Sequence, residues 1–279
     1  MTILAHISDL HFGREDPKLI NGLLQSFSEI EPELIIISGD LTQRARKREF
    51  LAARAFLDSL QWPFLLIAGN HDIPLYNLAN RFFAPWSKWR RYIEKPLEPI
   101  VIEKNYIAIG INTARRLGSL FDWSRGRISI QQITAIVGSL TAEESKRLCI
   151  AVAHHPFWTP EKYSYRHTVS GRDKALSLLK NAGVDIILGG HLHFAYTHSL
   201  EGLIISSAGT TLSTRVEAGY HNSFKIIRGD RERLSFETWI WGTERFVKSY
   251  RQIYHCDQEG WREIGAQQVA NGKDGNYRR

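Results

Sequence analysis

The stretch ELIIISGDLT, residues 33–42, decides how the rest of the chain is read. Leu34 to Ser38 form a short, unbroken apolar run that stops abruptly at Gly39-Asp40. A run of strand length without polar alternation suits a strand covered on both faces. Six further runs share this character: Ile3 to Ile7, Phe64 to Ala68, Tyr106 to Ile111, Leu148 to Ala153, Ile186 to Leu188 and Leu203 to Ala208. Between them lie helical spacings. Residues 17–30 place Leu19, Leu23, Phe27 and Ile30 on one face, and residues 47–60 do so with Phe50, Ala53, Phe56, Leu57 and Leu60. Residues 129–140 and 171–183 complete the set, the last with Gly183 as its C-cap.

Strand and helix alternate through the first two-thirds of the chain, which predicts an α/β fold of βαβ units with parallel strands. From about residue 200 the helical spacing stops. Residues 223–241, SFKIIRGDRERLSFETWIW, read as a hairpin turning at Gly229-Asp230, so the C-terminal third is expected to add antiparallel strands. One domain over residues 1–271 is expected, because no Pro/Gly/Ser-rich linker divides it. The polar residues 272–279 are expected to be a disordered tail.

Composition bounds the function. With 279 residues, 43% hydrophobic and 23% charged, the chain has ordinary core-forming content. Cys149 and Cys256 match neither a disulfide framework nor a zinc-knuckle spacing. No window reaches the ~18 to 20 apolar residues of a membrane span, and the first residues lack a signal-peptide pattern, so a cytoplasmic location is expected. The net charge of +7 points to an anionic partner: a phosphorylated metabolite, nucleic acid or an anionic membrane surface.

In open α/β sheets, ligands bind beyond the carboxyl ends of the strands. Those ends read Asp9-Leu10-His11, Gly39-Asp40, Gly69-Asn70-His71-Asp72, His154-His155-Pro156 and Gly190-His191-Leu192-His193. Each alone has an ordinary structural explanation as a turn, cap or hydrogen-bonded pair. Five in succession at five strand ends do not. Strand alternation would project Asp9 and His11 the same way onto one ion, and His191 and His193 likewise onto one ion or two adjacent ones. The glycines before Asp40, Asn70 and His191 would let the backbone turn and clear space for a ligand. Imidazoles, one amide oxygen and two carboxylates suit Mn, Fe, Co or Zn better than Mg or Ca. Asp9, His11, Asp40, Asn70, His154, His191 and His193 are too many for one ion and suit two, about 3.5 to 4 Å apart.

These blocks resemble the calcineurin-like metallophosphoesterase superfamily, and ISDLH, GDLT, AGNHD, HHP and GHLH look most like its class III cyclic-nucleotide phosphodiesterase branch. The resemblance, over about residues 3 to 215, implies a four-layer αββα sandwich of two mixed sheets flanked by helices, with a dinuclear metal site at the strand ends. It implies Asp9, His11 and His193 on one metal, Asn70, His154 and His191 on the other, and Asp40 bridging. It places His71 near the leaving group as candidate general acid, with Asp72 its neighbour.

The expected cofactors are two divalent transition-metal ions, Mn, Fe or Zn. The expected reaction is hydrolysis of a small phosphodiester, a 3′,5′-cyclic nucleotide as first guess, by in-line attack of a metal-bridging hydroxide. His155 reads as a pocket residue behind the ligands. Asn112 either lines the pocket or caps a turn, and Arg44 either contacts a substrate phosphate or sits on a solvated helix face. Residues 81–92, RFFAPWSKWRRY, interleave aromatics with arginines: a stacking surface for nucleic acid, a peripheral membrane contact, or simple packing of a helix. No obligatory nucleic-acid partner is expected. The alternatives are a membrane-face hydrolase of a lipid-linked phosphoester or pyrophosphate, similar to UDP-diacylglucosamine hydrolases, and, third, a DNA nuclease. A binding scaffold that has lost its metals is disfavoured, because every ligand position is filled.

Overall fold

Two β-sheets lie back to back in the computed structural model of the chain, which describes residues 1–75, 77–116, 124–140 and 147–269. In chain order the elements are β1 (Thr2–Ile7), α1 (Pro17–Ile30), β2 (Leu34–Ile37), α2 (Lys47–Ser59), β3 (Phe64–Leu66), α3 (Leu78–Phe83), α4 (Ser87–Tyr92), β4 (Ile100–Ile102) and β5 (Tyr106–Ile111). There follow α5 (Ile130–Ser139), β6 (Leu148–Ala153), α6 (Arg172–Asn181), β7 (Ile186–Gly189), β8 (Tyr196–Leu200), β9 (Leu203–Ser207), β10 (Ser223–Gly229), β11 (Arg233–Trp241), β12 (Phe246–Asp257) and β13 (Gly260–Gln268). The expected tail, residues 272–279, lies outside the described residues.

One sheet runs β13-β12-β11-β10-β1-β2-β3 and the other β4-β5-β6-β7-β9-β8. β1, β2 and β3 are parallel, as are β5, β6, β7 and β9, while β4, β8 and β10 to β13 pair antiparallel. The unbroken apolar strands follow from burial on both faces. β1 sends Ala5 and Ile7 against Leu23 and Phe27 of α1 and Phe50 of α2, and Leu4 into the layer between the sheets. On the far side, α5 and α6 cover the second sheet with Ile133, Leu176 and Leu179. The expected four-layer α/β sandwich is therefore the observed one.

Local chemistry fixes the helix ends. Asp16 caps α1 by accepting the Lys18 N–H, and Pro17 occupies the first helical position, where a missing N–H costs nothing. Gly183, at φ 85°, follows α6 as expected of a C-cap. Residues 81–92 take up all of α4 and part of α3, and the packing reading describes much of them. Trp89 is buried, and the buried Arg81 guanidinium holds the carbonyls of Pro74, Arg115 and Arg116. Phe83, by contrast, is 89% exposed, and Arg90 and Arg91 are exposed as well. No helix among the described residues is long and apolar enough to cross a membrane.

The layer between the sheets turns polar toward the carboxyl ends of β1 and β2. His6 Nε2 bonds Ser38 Oγ at 2.9 Å, and the buried Lys225 Nζ donates to Thr197 Oγ1 at 2.5 Å. Burial pushes the Lys225 ammonium down to about 7. Between that value and the ordinary lysine range near 10.4, the unfolded chain holds more protons than the folded one, so stability rises with pH across this window. Below it the cost of the buried lysine is complete, roughly 5 kcal/mol. Lys225→Met is accordingly expected to be more stable near neutrality and to lack this rise. Urea denaturation of both proteins at pH 7, 8.5 and 10 checks it; parallel pH trends would discard the idea.

Candidate metal centre

All five strand ends singled out in the sequence meet at one edge of the sandwich, three from one sheet and two from the other. The strands themselves do not aim the ligands. β1 ends at Ile7, and Asp9 and His11 have φ of 52° and 46°; Asp40 is at 52°, His191 at 70° and His193 at 63°. Strand alternation is therefore corrected to left-handed loop geometry. Asp, Asn and His tolerate this region better than other non-glycine residues, and its cost of about 1 kcal/mol or more each marks loops over-determined by their surroundings.

The surroundings are visible. Asp9 N–H donates to the Gly39 carbonyl and His11 N–H to that of Asp40, so the first loop is tied to the second. Thr210 Oγ1 donates to the Asp9 carbonyl at 2.6 Å, and Asp9 Oδ2 accepts the His191 N–H at 3.0 Å. Asp72 clamps the loop after β2 to the loop after β3: its carboxylate accepts the N–H groups of Leu41, Thr42 and Gly69 and the Thr42 hydroxyl. Burial and the adjacent Asp40 charge push Asp72 up to about 7 against these donors. The glycines also have a different use from the one expected. A Cβ on Gly69 would stand 2.1 Å from Asp40 Oδ1, and one on Gly190 1.9 Å from Ser8 Oγ and 2.5 Å from Asp9 Oδ2. The room they leave is filled by neighbouring side chains: Asp40 at Gly69, Ser8 and Asp9 at Gly190, and His154 at Gly39.

Two donor groups result. Asp9, His11, Asp40 and His193 form one: His193 Nε2 lies 3.3 Å from Asp9 Oδ1 and 3.1 Å from His11 Nε2, and His11 Nε2 is 3.7 Å from Asp40 Oδ2. On the other side, His154 Nε2 lies 3.4 Å from Asp40 Oδ1, and His191 Nδ1 lies 3.1 Å from Asn70 Oδ1. The two oxygens of Asp40 thus face the two groups.

His155 falls geometrically with His154 and His191, but both its nitrogens are engaged, Nδ1 with Thr113 Oγ1 at 2.7 Å and Nε2 with the Ser124 carbonyl at 2.8 Å. It buttresses the centre from behind. His154 differs: Nδ1 donates to the Ser38 carbonyl at 2.8 Å, which leaves Nε2 bare.

The donors fit divalent transition-metal ions. Asp9 Oδ1, in one donor group, and His154 Nε2, in the other, are buried and lack any hydrogen-bond partner, a costly arrangement unless each group holds a cation. Burial pushes His11 and His191 down to about 3, so both imidazoles are neutral and offer lone pairs near pH 7. Burial also opposes ionisation of Asp40, yet His154, His71 and His11 hold its carboxyl well below the usual range, and Asp40 in turn raises His154 to about 9. The set of imidazole, carboxylate and one amide oxygen is the one expected from sequence.

At the mouth, His71 Nδ1 donates to the Gln43 carbonyl at 2.7 Å, and Nε2 faces Arg215 Nη1 at 3.2 Å. The same Arg215 nitrogen is 3.4 Å from His11 Nε2. Sequence reasoning passed Arg215 over. It is delivered by the loop after β9, a further parallel strand end, whose Gly209-Thr210-Thr211 contains no Asp or His to draw attention. Of the expected substrate contacts, Asn112 has its side-chain oxygen on the Ala114 N–H at 3.2 Å, the turn role, and Arg44 is exposed, next to the Gln43 that orients His71.

Comparison with known proteins places this geometry. The family model described as calcineurin-like phosphoesterase matches residues 3–195. The chain is 36% identical to glycerophosphodiester phosphodiesterase GpdQ of Enterobacter lignolyticus over 86 residues, 25% of this chain and only 29% of that relative. It is 24% identical to a probable cyclic nucleotide phosphodiesterase of Coxiella burnetii over 217 residues, 75% of this chain and 82% of the relative. Among solved structures, a dimetal phosphatase from Danio rerio superposes with a TM-score of 0.63 at 12% identity, covering 88% of this chain and 98% of that one. A purple acid phosphatase from yellow lupin gives 0.66 at 14% identity, over 88% and 52%. These two establish a shared fold.

Proposed function

The chain belongs to the calcineurin-like phosphoesterase family, and from that premise we propose that this metallophosphoesterase hydrolyses a small phosphodiester, with a 3′,5′-cyclic nucleotide as the first substrate to test. The observation that carries the reading is Asp40, whose oxygens face one donor group each. Asp9, His11, Asp40 and His193 would hold one cation, and Asp40, Asn70, His154 and His191 the second. Such a pair supplies Lewis acidity and brings the pKa of bound water toward neutrality.

The chain's own residues account for the rest. Asp9 and Asp40 are the only carboxylates in the donor groups, so two divalent cations leave a surplus of positive charge that draws in a phosphate oxyanion. Arg215 adds a guanidinium at the mouth, where it would grip a non-bridging oxygen. His71, with Nδ1 donating to the Gln43 carbonyl, directs Nε2 at the same space and, with a second proton on Nε2, would hand that proton to the departing alkoxide and be left as the neutral imidazole. GpdQ and the Coxiella burnetii relative are both named as phosphodiesterases, which supports the diester over the monoester.

A second reading, a lipid-linked phosphoester or pyrophosphate taken at a membrane face, draws on the exposed Leu75, Leu78 and Phe83 and the exposed Arg90 and Arg91 that follow them in sequence. The deciding experiment is a metal-reconstituted screen of bis-p-nitrophenyl phosphate, p-nitrophenyl phosphate, cyclic AMP and a lipid-linked pyrophosphate. Diester turnover far above monoester turnover is expected; preference for the lipid overturns the first reading in favour of the second. In the same assay Arg215→Met is expected to raise KM for the diester about 10- to 100-fold, the loss of one charge-assisted contact. An unchanged KM would remove Arg215 from the site.

A further inference from the structure

The second sheet ends at β4, far from the metal centre in the strand order, and its outer edge is open. Among the described residues β5 is the only strand bonded to β4, in the register Ile100↔Ile109, Val101↔Ala108 and Ile102↔Ile107. The Gly110 N–H donates to the Pro99 carbonyl at 2.8 Å and the Glu103 N–H to the Tyr106 carbonyl at 2.9 Å. Backbone groups alternate in direction along an antiparallel strand. Pro99, Val101 and Glu103 therefore face β5, and Ile100 and Ile102 turn their N–H and C=O groups outward. Proline commonly blocks an edge, but Pro99 stands on the side that is already paired.

The side chains alternate as well. Val101 packs on the core between the sheets, whereas Ile100 and Ile102, on the opposite face, are 49% and 50% exposed. Two exposed isoleucines on an unpaired edge are what isolated edge strands avoid. The edges at β8 and β13, by contrast, are joined to each other, the Ser199 hydroxyl donating to the Trp261 carbonyl.

The segment around β4, EPIVIEK over residues 98–104, is its own complement. Laid antiparallel on a second copy with Val101 at the two-fold axis, it sets Ile100 opposite Ile102 and Glu98 opposite Lys104. The outward groups then coincide, so each Ile100–Ile102 pair exchanges both of its N–H···O=C bonds. The isoleucines of both copies meet on one face, and opposite charges meet at either end. Glu98 and Lys104 are both exposed. Glu98 Oε1 accepts from Gln132 Nε2 at 2.6 Å and from the Asn112 N–H at 3.3 Å, which ties this end of the edge to α5. A shift of one residue would turn bonded groups away from each other, and a shift of two would set a charge against an isoleucine.

We propose that the chain forms a two-fold dimer through β4, joining the two copies of the six-stranded sheet into one. Strand direction reverses across the axis, so the two metal centres open toward opposite ends of the joined sheet and each works alone.

Sedimentation equilibrium of the full chain tests the proposal. The wild type is expected at twice the 32.0 kDa of one chain at micromolar concentration. Ile102→Lys is expected at the mass of one chain, with circular dichroism and turnover per chain unchanged. Glu98→Lys should weaken the dimer at least about tenfold, and adding Lys104→Glu should restore it. A second measurement keeps every surface charge in place. Across the axis the two Val101 Cα atoms would lie about 4.5 Å apart, within disulfide reach, so Val101→Cys in a Cys256→Ser background should cross-link under mild oxidation. A single-chain mass for the wild type overturns the dimer and leaves the edge to a strand of another protein. A dimer that survives Ile102→Lys and fails to cross-link through Val101→Cys overturns β4 as its interface.

Discussion

Asp40→Asn is expected to lower diester turnover by at least about a thousandfold and to release bound metal in the same step, since several kcal/mol of charge stabilisation are removed. One Asp40 oxygen faces His154 and also accepts the His71 N–H; the other faces His11. A carboxamide presents one oxygen and one NH₂, so it satisfies one donor group while aiming hydrogens at a cation in the other. It also removes half of the carboxylate charge in the centre. Elemental analysis beside the kinetics makes the test sharp: two equivalents of metal with undiminished turnover would show that Asp40 does not join the two groups. Thermal melting of the variant confirms that it is folded.

The second large effect belongs to His71. His71→Asn is expected to slow hydrolysis of diesters with an alkyl leaving group by about 10²- to 10⁴-fold, the usual contribution of a positioned acid. With a p-nitrophenolate leaving group, which departs without a proton, the same variant should lose far less. Equal losses with both leaving groups would make His71 a binding residue and move the proton donor elsewhere. The Gln43 carbonyl is what makes the assignment specific, because it engages Nδ1 and leaves Nε2 as the atom presented to substrate.

Much of this centre could be read from the chain because its information is local. Asp9, Asp40, Asn70, His154 and His191 each follow a buried apolar run directly, so strand and ligand appear in the same ten residues. The edge strand β4 escapes such reading because its three residues make too short a run, and β8, β12 and β13 because polar residues break the apolar signal. The division of parallel strands between two sheets is equally hidden. β2 and β6 have the same character, and the resemblance implied two sheets without assigning either strand to one of them. Backbone sign is invisible too: nothing in "DLH" announces left-handed φ at Asp9 and His11. Arg215 is a lone residue in a loop, defined by what lies opposite it in space.

The ligands come from both sheets: Asp9, His11, Asp40 and Asn70 follow strands of one, His154, His191 and His193 strands of the other. A cation pair held among them is therefore a rivet through the sandwich as well as a reagent. Chelation should loosen one rim of the molecule, and the melting temperature should climb with free metal concentration as RT ln(1 + [M]/Kd) requires.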